Sequence, residues 1–428
     1  MGQQIRIEGS GGREHAIGIE LAHSADVESI YVAPGNAGTV GEKFVDNMDD
    51  PDLIVIGPEA LLIDGRVDQL EAQGYKGKVL GFDAASSFLE ATKVGADEAM
   101  ERWGVVRPPS IVVRNYDQAM AAIANREPRE LVFKADEPAG GKGVVLPETF
   151  EAALKTIEGM LSGELFGGAG KCFQVQDRWH GAEVSVFGIS DGQHDYIIPF
   201  FTQDHKRLLD GDRGDNTGGM GAYSPVPETI VSQRQREKIY EAFDRTYSGM
   251  RRDGFSTKGI LYGSFMLAEE IDYDPAMIEY NIRFGDPEAQ ALLPVLTRAG
   301  VDVHDLLRSA AAGNLRPEDH TIPTAKMAGN AALTNCLAAP GYPEKPRTGQ
   351  EIFGLDRTYE SVILHYAGAK RDEAGIVRAS GGRVIYVTGV GEDLAAAKAA
   401  SDAAIGPDGV YFDEEQHRTD IGWQAIAS

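Results

Sequence analysis

The chain reads as a multidomain α/β and α+β protein, with an N-terminal parallel-sheet domain, a longer strand-rich middle and a small C-terminal domain. Three observations carry that reading. Over the first hundred residues short apolar strands alternate with helical segments, the pattern of a parallel sheet with helices packed on it. From about Val105 the strands shorten and no longer alternate with helices one for one. A length of 428 residues, 42% of them hydrophobic, exceeds a single core and divides at ~100–200 residues per domain.

In order, residues 4–7 form a strand that enters a glycine cluster, and 15–22 an apolar-periodic helix. Strands follow at 29–33, 53–57 and 78–81. After Thr39 only twelve residues remain before Asp52, short for a parallel crossover with a helix. Pro51 also discourages a helix running up to it. A loop or single turn is expected there, leaving one sheet face less covered. Next come strands at 110–113, 131–134, 143–146 and 172–175, with helices at 117–125 and 150–161. Strands at 183–189, 196–199, 259–268 and 277–280 follow, interrupted by a long polar helix over 232–252. From Thr321 the strand-like runs are 325–332, 361–367 and 383–388, and an Ala-rich helix spans 393–404.

Lys+Arg 41 against Asp+Glu 66 gives a net charge of −25. That argues against nucleic acid or an anionic membrane as the main partner, since both require a basic patch, and leaves room for a local basic pocket for a phosphorylated metabolite. The plain reading is a well-solvated acidic enzyme and the sharper one is adaptation to a salty cytoplasm. Cys172 and Cys336 are the only cysteines and make no metal or CxxC spacing, so a reducing compartment is expected. The N-terminus lacks a signal-peptide profile, and no apolar run reaches the ~18 residues of a membrane span. A soluble, cytoplasmic protein is expected.

Glycine-bearing segments carry the chemistry. Gly9-Ser10-Gly11-Gly12-Arg13-Glu14-His15 lies between a strand and a helix, where glycines admit an anion to the helix N-terminus. It is not GxGxxG, and a purely structural turn is the alternative. Pro34-Gly35-Asn36-Ala37-Gly38-Thr39 and Gly57-Pro58-Glu59 follow the next two strands, at the carboxyl ends where open α/β sheets bind ligands. Lys134-Ala135-Asp136-Glu137-Pro138-Ala139-Gly140-Gly141-Lys142-Gly143 puts two lysines around a Gly-rich hairpin, which suits a polyphosphate under a flap; a surface hairpin is the alternative. Gln203-Asp204-His205-Lys206-Arg207 and Asn216-Thr217-Gly218-Gly219-Met220-Gly221 read as loops closing on a small polar substrate, with His205 more a satisfied structural histidine than a base. In Glu279-Tyr280-Asn281-Ile282-Arg283-Phe284-Gly285-Asp286-Pro287-Glu288, period two puts Glu279 and Asn281 on one strand face. Two oxygen ligands there suit Mg²⁺, which completes its shell with water and phosphates.

In their order, GSGGREHA, APGNAGT, GPEA, KADxxAGGKGV, QDHKR, NTGGMGAYSP, IEYNxRFGDPE, GYP and the terminal DIGW resemble the glycinamide ribonucleotide synthetases (phosphoribosylamine–glycine ligases) of the ATP-grasp superfamily, over nearly the whole chain. The resemblance implies a Rossmann-like N-terminal domain (1–90), an ATP-grasp core (91–320) whose β-rich flap (about 105–176) closes over ATP, and a C-terminal domain (321–428). It assigns ATP contacts to Lys93, Lys134, Gly140, Gly141, Lys142, Gly143, Gln176 and Glu183, and Mg²⁺ or Mn²⁺ to Glu279 and Asn281. Phosphoribosylamine would be held by Gly11, Gly12, Arg13, Glu14 and His15, by Pro34, Gly35, Asn36, Gly38 and Thr39, by Pro58 and Glu59, and by Asn216, Thr217, Gly218, Gly219 and Met220. Asp204, Lys206, Arg283 and Asp286 fall where glycine and phosphate meet. Arg283 is the candidate for the glycine carboxylate and Asp286 for an amine, with an Arg283–Asp286 ion pair as the structural alternative.

The implied reaction joins 5-phosphoribosylamine to glycine, consuming ATP through a glycyl phosphate, in purine biosynthesis. Its partners are small molecules only, and a monomer is expected. Two alternatives stand beside it: another ATP-grasp carboxylate–amine ligase, which NTGGMGAYSP and RFGDPE disfavour, and a nucleotide-binding protein without catalysis, which Lys134, Glu279 and Asn281 disfavour. The charge makes a separate prediction. Self-repulsion weakens as the Debye length falls from ~30 Å at 0.01 M salt to ~3 Å at 1 M, so melting temperature and activity should rise with KCl towards molar levels. A melting temperature as high in dilute buffer as in molar KCl would sink this.

Overall fold

In the computed structural model, residues 2–137, 143–193, 196–198, 200–316 and 329–426 are described. The N-terminal sheet has four parallel strands in the spatial order Val27–Pro34, Gln3–Gly9, Leu53–Ile56 and Lys78–Leu80. Ile5, Ile7, Leu53 and Val55 are fully buried, as a parallel sheet covered on both faces demands. Helix Gly12–Ala22 packs Ile17 and Leu21 against it. No helix lies between Pro34 and Leu53. Instead Phe44 makes an isolated parallel bridge with Ile30, and its ring fills the space that the absent side chain of Gly18 leaves on the helix. One aromatic ring thus patches the face that the short crossover leaves open.

Two antiparallel sheets form the middle. The central one runs Tyr196–Ile197, Gly181–Asp191, Lys258–Ala268, Asp274–Asn281. Helix Gln233–Arg252 backs it through Ile239, Phe243, Tyr247 and Met250, one stripe at helical spacing. The flap sheet runs Ser110–Val113, Phe173–Asp177, Leu131–Ala135, Val144–Val145, with helices Tyr116–Ile123 and Phe150–Ser162 around a core of its own that includes Phe133, Ile157 and Phe173. Helices Lys93–Trp103, Glu288–Arg298 and Val303–Ala312, not anticipated from the sequence, complete this part.

The last sheet corrects two expectations. Its order is Gln203–Asp204, Gly221–Ser224, Ala331–Ala338, Arg383–Gly391, Val362–Tyr366. The stretches around 203 and 221, read as loops, therefore contribute strands that pair across to the C-terminal part. The strand expected at 325–332 lies at Ala331–Ala338, and residues 325–328 fall outside the described residues. Small residues suit this place: helix Leu394–Ala403 lies so close that a Cβ on Gly389 would meet the carbonyl oxygen of Ala397 at 1.9 Å. Fully buried Arg418 donates to both oxygens of Asp420 (2.7 and 2.9 Å), to Asp212 (2.8 Å) and to the Arg207 carbonyl (3.2 Å), so the chain's end clamps the 203–216 segment.

The N-terminal and C-terminal parts meet at histidines. The amide of Tyr366 donates to His15 Nδ1 (2.9 Å), which leaves the proton on Nε2 to donate to the Gly38 carbonyl (2.7 Å). His365 stands 6.2 Å from His15, fully buried, with no partner for either ring nitrogen among the described residues. Burial pushes His15 down to about 4 and His365 down to about 3. Unfolded histidines bind protons near 6.5, so the unfolded chain takes up protons first and stability is lost as pH falls below that value. His365→Phe should keep the fold and lose less melting temperature than the parent between pH 7 and 4.5. Equal losses in thermal melts would show that His365 does not titrate this way.

Candidate active site

One face of the central sheet carries the site. The strand register places Glu183, Ser185, Tyr262, Glu279 and Asn281 on that face, because pairings Ser185–Ser264–Glu279 and Phe187–Tyr262–Asn281 run straight across it. Lysines arrive from three directions. Lys93 opens a helix capped by Thr92 and is pinned to the flap by Asp136, whose carboxylate accepts from Thr92 Oγ1 (2.7 Å) and the Val94 amide (2.9 Å). Its Nζ lies 3.1 Å from Glu279. Lys134 reaches from the flap strand to the Ile278 carbonyl (3.4 Å), and Lys206 pairs with Glu183 at 2.8 Å. Burial alone would raise Glu279, but Lys93, Lys206 and Lys134 together hold it well below the usual carboxylate range. Burial, then Lys93, pushes Lys134 down to about 8. Asp204 is pushed up to about 7 by burial, against the pull of Lys206.

A second cluster adjoins the first. Arg283 donates from Nη2 to Glu90 (2.8 Å), from Nε to Glu59 (3.2 Å) and from Nη1 to the Phe284 carbonyl (3.2 Å). The Arg283–Asp286 pair weighed from sequence is not formed. The end of the Asn281 amide that lies 2.9 Å from Glu90 and 3.1 Å from the Tyr280 carbonyl faces only acceptors; it is therefore assigned as the nitrogen, which puts the carbonyl oxygen on the opposite side. One carboxylate and one amide oxygen on the same strand face, ringed by lysines that suit phosphates, fit a hard cation such as Mg²⁺ or Mn²⁺.

The glycine motifs meet at Asp286. Its Oδ1 accepts from Tyr386 (2.5 Å) and Gln290 (3.0 Å), its Oδ2 accepts from the Arg13 amide (3.2 Å), and Arg383 stands 3.6 Å away. Asp286 is thus filled by protein donors, a junction rather than the amine-binding group expected. Gly11 N–H likewise donates to Glu14 (2.6 Å), so the chain's own carboxylates occupy much of the helix N-terminus read as an anion cradle. Only glycine fits in these contacts. A Cβ on Gly12 would stand 2.5 Å from the Tyr386 ring, and Gly219, at φ +111°, would meet Pro287 at 2.4 Å.

Other expected residues fare variously. His15 spends both ring nitrogens on protein, and Asn36 spends its amide on the carbonyls of Ser10 (2.9 Å) and Tyr366 (2.8 Å) and on the Gly38 amide (2.9 Å). Met220 is buried with Cys336, Ala338 and Tyr386, so its side chain is core, and the Thr217 hydroxyl donates to the Lys206 carbonyl (2.9 Å). Arg13 is committed to Glu14 (2.6 Å) and the Phe284 carbonyl (3.1 Å). His205 is buried with its Nε2 beside Gln424 at 3.0 Å, while its Nδ1 finds no partner among the described residues, so it is only half satisfied. Gln176 is buried in the flap sheet, and Pro34, Gly35, Thr39, Pro58 and Asn216 sit at strand ends or the turns after them. Gly140, Gly141 and Lys142 lie outside the described residues, while the Gly143 carbonyl accepts from the Ala135 amide (2.8 Å). Glu90, Arg383 and Tyr386 were missed altogether, and Tyr342 was noticed only as part of the GYP motif, without a role. Tyr342 accepts from the Gly218 amide (2.9 Å), and Arg383 donates to the carbonyls of Gly218 (2.5 Å) and Asp286 (2.5 Å). Arg383 and Tyr386 in a strand, Tyr342 in a turn and Glu90 in a short helix give no local sign of partners distant in the chain.

A central antiparallel sheet carrying Glu279 and Asn281, with Lys134 of the flap sheet, Lys93 and Lys206 gathered on the same face, defines an ATP-grasp protein. The biotin carboxylase domain of Hydrogenobacter thermophilus 2-oxoglutarate carboxylase shares the fold at TM-score 0.70 and 14% identity, over 97% of this chain and 92% of that one. The chain belongs to the phosphoribosylglycinamide synthetase family, whose N, ATP-grasp (A) and C domain models match residues 3–90, 91–289 and 332–424. It is 38% identical over 442 residues to phosphoribosylamine–glycine ligase of Neisseria meningitidis serogroup A, covering 99% of each chain. The crystal structure of phosphoribosylamine–glycine ligase from Thermotoga maritima matches at TM-score 0.80 and 29% identity, over 98% of this chain and 100% of that one.

The lowered Lys134 sets a pH limit. As an ATP phosphate ligand Lys134 would carry its ammonium below pH 8, and above it ATP would first have to restore the proton. ATP should bind about tenfold more weakly at pH 9 than at pH 7. Lys134→Arg, which keeps its charge throughout, should bind with a flat profile. Titration calorimetry checks this, and an equally flat parent profile would contradict it.

Proposed function

We infer that the protein joins the amine of 5-phosphoribosylamine to the carboxylate of glycine, with ATP converted to ADP and phosphate, giving glycinamide ribonucleotide for purine biosynthesis. The observation that carries this is the end-to-end match to the ligase family, all three domains in order. The chain divides as 1–90, 91–320 and 321–428, with strand Gly221–Ser224 crossing to the last sheet. A net charge of −25 supports small-molecule substrates over nucleic acid or an anionic membrane. No helix among the described residues is long and apolar enough to cross a membrane, and we place the enzyme in the cytoplasm as a monomer.

A glycine carboxylate is a poor electrophile, and transfer of the γ-phosphoryl group makes it an acyl phosphate that an amine can attack. No nucleophilic side chain is required; positioning and charge do the work. Lys93, Lys134 and Lys206 meet the polyphosphate, the first and last already paired with carboxylates and Lys134 with the Ile278 carbonyl, which hold them in place. Glu279 and Asn281 would hold Mg²⁺ or Mn²⁺, which supplies charge neutralisation at the phosphates. Arg283 takes the glycine carboxylate: Glu90 fixes its Nη2, and the substrate displaces Glu59 from Nε. Asp204, pushed up to about 7 by burial, is partly ionised near neutral pH, and its carboxylate form accepts a proton from an incoming amine.

The reaction is tested by isotope. When glycine attacks the γ-phosphorus, one carboxylate oxygen bonds to it and leaves with phosphate as the amine forms the new C–N bond. Glycine carrying ¹⁸O in its carboxylate should therefore deliver one labelled oxygen to phosphate per product, read by mass spectrometry. Unlabelled phosphate would rule out the acyl phosphate; ADP release independent of glycine would overturn the function itself.

A further inference from the structure

We propose that Glu90 is a positioning residue for the metal site, fixing the amide of Asn281 so that its carbonyl oxygen, rather than its nitrogen, faces the cation. The proposal rests on the reading of Glu279 and Asn281 as metal ligands. Glu90 lies in the short helix Phe88–Ala91 with its side chain 9% exposed. Its two oxygens face three consecutive residues: they accept from the Ile282 amide at 2.8 Å and Arg283 Nη2 at 2.8 Å, and one lies 2.9 Å from the end of the Asn281 amide, which with acceptors on every side is assigned as the NH₂. The same segment supplies Lys93 to Glu279 at 3.1 Å. Residues 90 and 93 thus grip the two proposed ligands, one each.

The physical argument concerns an amide's two ends. Turned by half a rotation, asparagine keeps its shape but exchanges an acceptor for a donor pair. At a cation the difference is decisive, since only the oxygen coordinates. A carboxylate accepts and never donates, so Glu90 admits only the NH₂ end and commits the oxygen to the other side. The Tyr280 carbonyl asks for the same orientation, but as a neutral acceptor it does so more weakly. Glutamine at position 90 would have one oxygen for three donors and an NH₂ to set against one of them, and Asn281 can answer it by turning over. Outer partners of this kind typically change metal affinity ~10–100-fold.

Mn²⁺ binding in the presence of ADP, followed by the paramagnetic resonance of free Mn²⁺, tests this without turnover. Glu90→Gln should weaken Mn²⁺ roughly 10–100-fold. Asn281→Asp removes the orientation problem, both side-chain ends being oxygen, so adding Glu90→Gln in that background should leave Mn²⁺ affinity unchanged or improve it. Full affinity in Glu90→Gln, or the same loss in both backgrounds, overturns the proposal. If Glu90→Gln alone does not fold, as judged by thermal melting, Asn281→Asp with and without Glu90→Gln decides, and weaker binding in the double variant counts against it. Glu279→Ala separates the two layers. Affinity retained there sinks the ligand assignment and this proposal with it, whereas affinity lost there but kept in Glu90→Gln sinks the proposal alone.

Discussion

A carboxylate buried where three domains meet has to be satisfied by all of them, and Asp286 is that carboxylate. The N-terminal helix sends the Arg13 amide, the ATP-grasp part sends Gln290, and the C-terminal sheet sends Tyr386 with Arg383 beside it. Removing one partner of such a group leaves an uncompensated buried charge, which costs far more than an exposed ion pair. The surrounding sequence follows from that constraint. Gly12, Gly218 and Gly219 let the Tyr386 ring, the Arg383 guanidinium and Pro287 approach, and the strand pairing of Gly221–Ser224 with Ala331–Ala338 ties the same loop into the C-terminal sheet.

The reaction centre is built on the same economy of charge. Each lysine in the cleft already faces a carboxylate or a carbonyl, so its position is set before any phosphate arrives. Electrostatic stabilisation that needs no rearrangement is worth most in a site shielded from water. Glu90 and Asp136 belong to this scheme although neither is aimed at substrate. One holds the end of the central strand, and the other holds the start of the helix that carries Lys93.

Much of this was legible in the chain. The order of the glycine motifs marked the family, period two put Glu279 and Asn281 together, and the short run after Thr39 announced a crossover without a helix. Legibility failed where chemistry is shared with a distant partner. His15 looks like a substrate ligand from GREH, yet its two nitrogens serve Gly38 and Tyr366, the latter 351 positions on. Glu90 sits in an unremarkable EAT run, and its donors lie 192 and 193 residues away at Ile282 and Arg283. Strand Ala331–Ala338 escaped because alanine, asparagine and cysteine favour strands only when a close-packed helix demands small residues.

The sequence by itself determined which chemical groups are available and their local spacing: lysines beside glycines, a carboxylate two residues from an amide, an acidic surface. Those depend on neighbours along the chain, and backbone periodicity transmits them directly. Only the tertiary structure decided which groups remain free to act. A buried donor or acceptor must find a partner wherever the fold provides one, so whether Asp286, His15 or Asn36 faces a ligand or another domain depends on contacts formed across hundreds of residues.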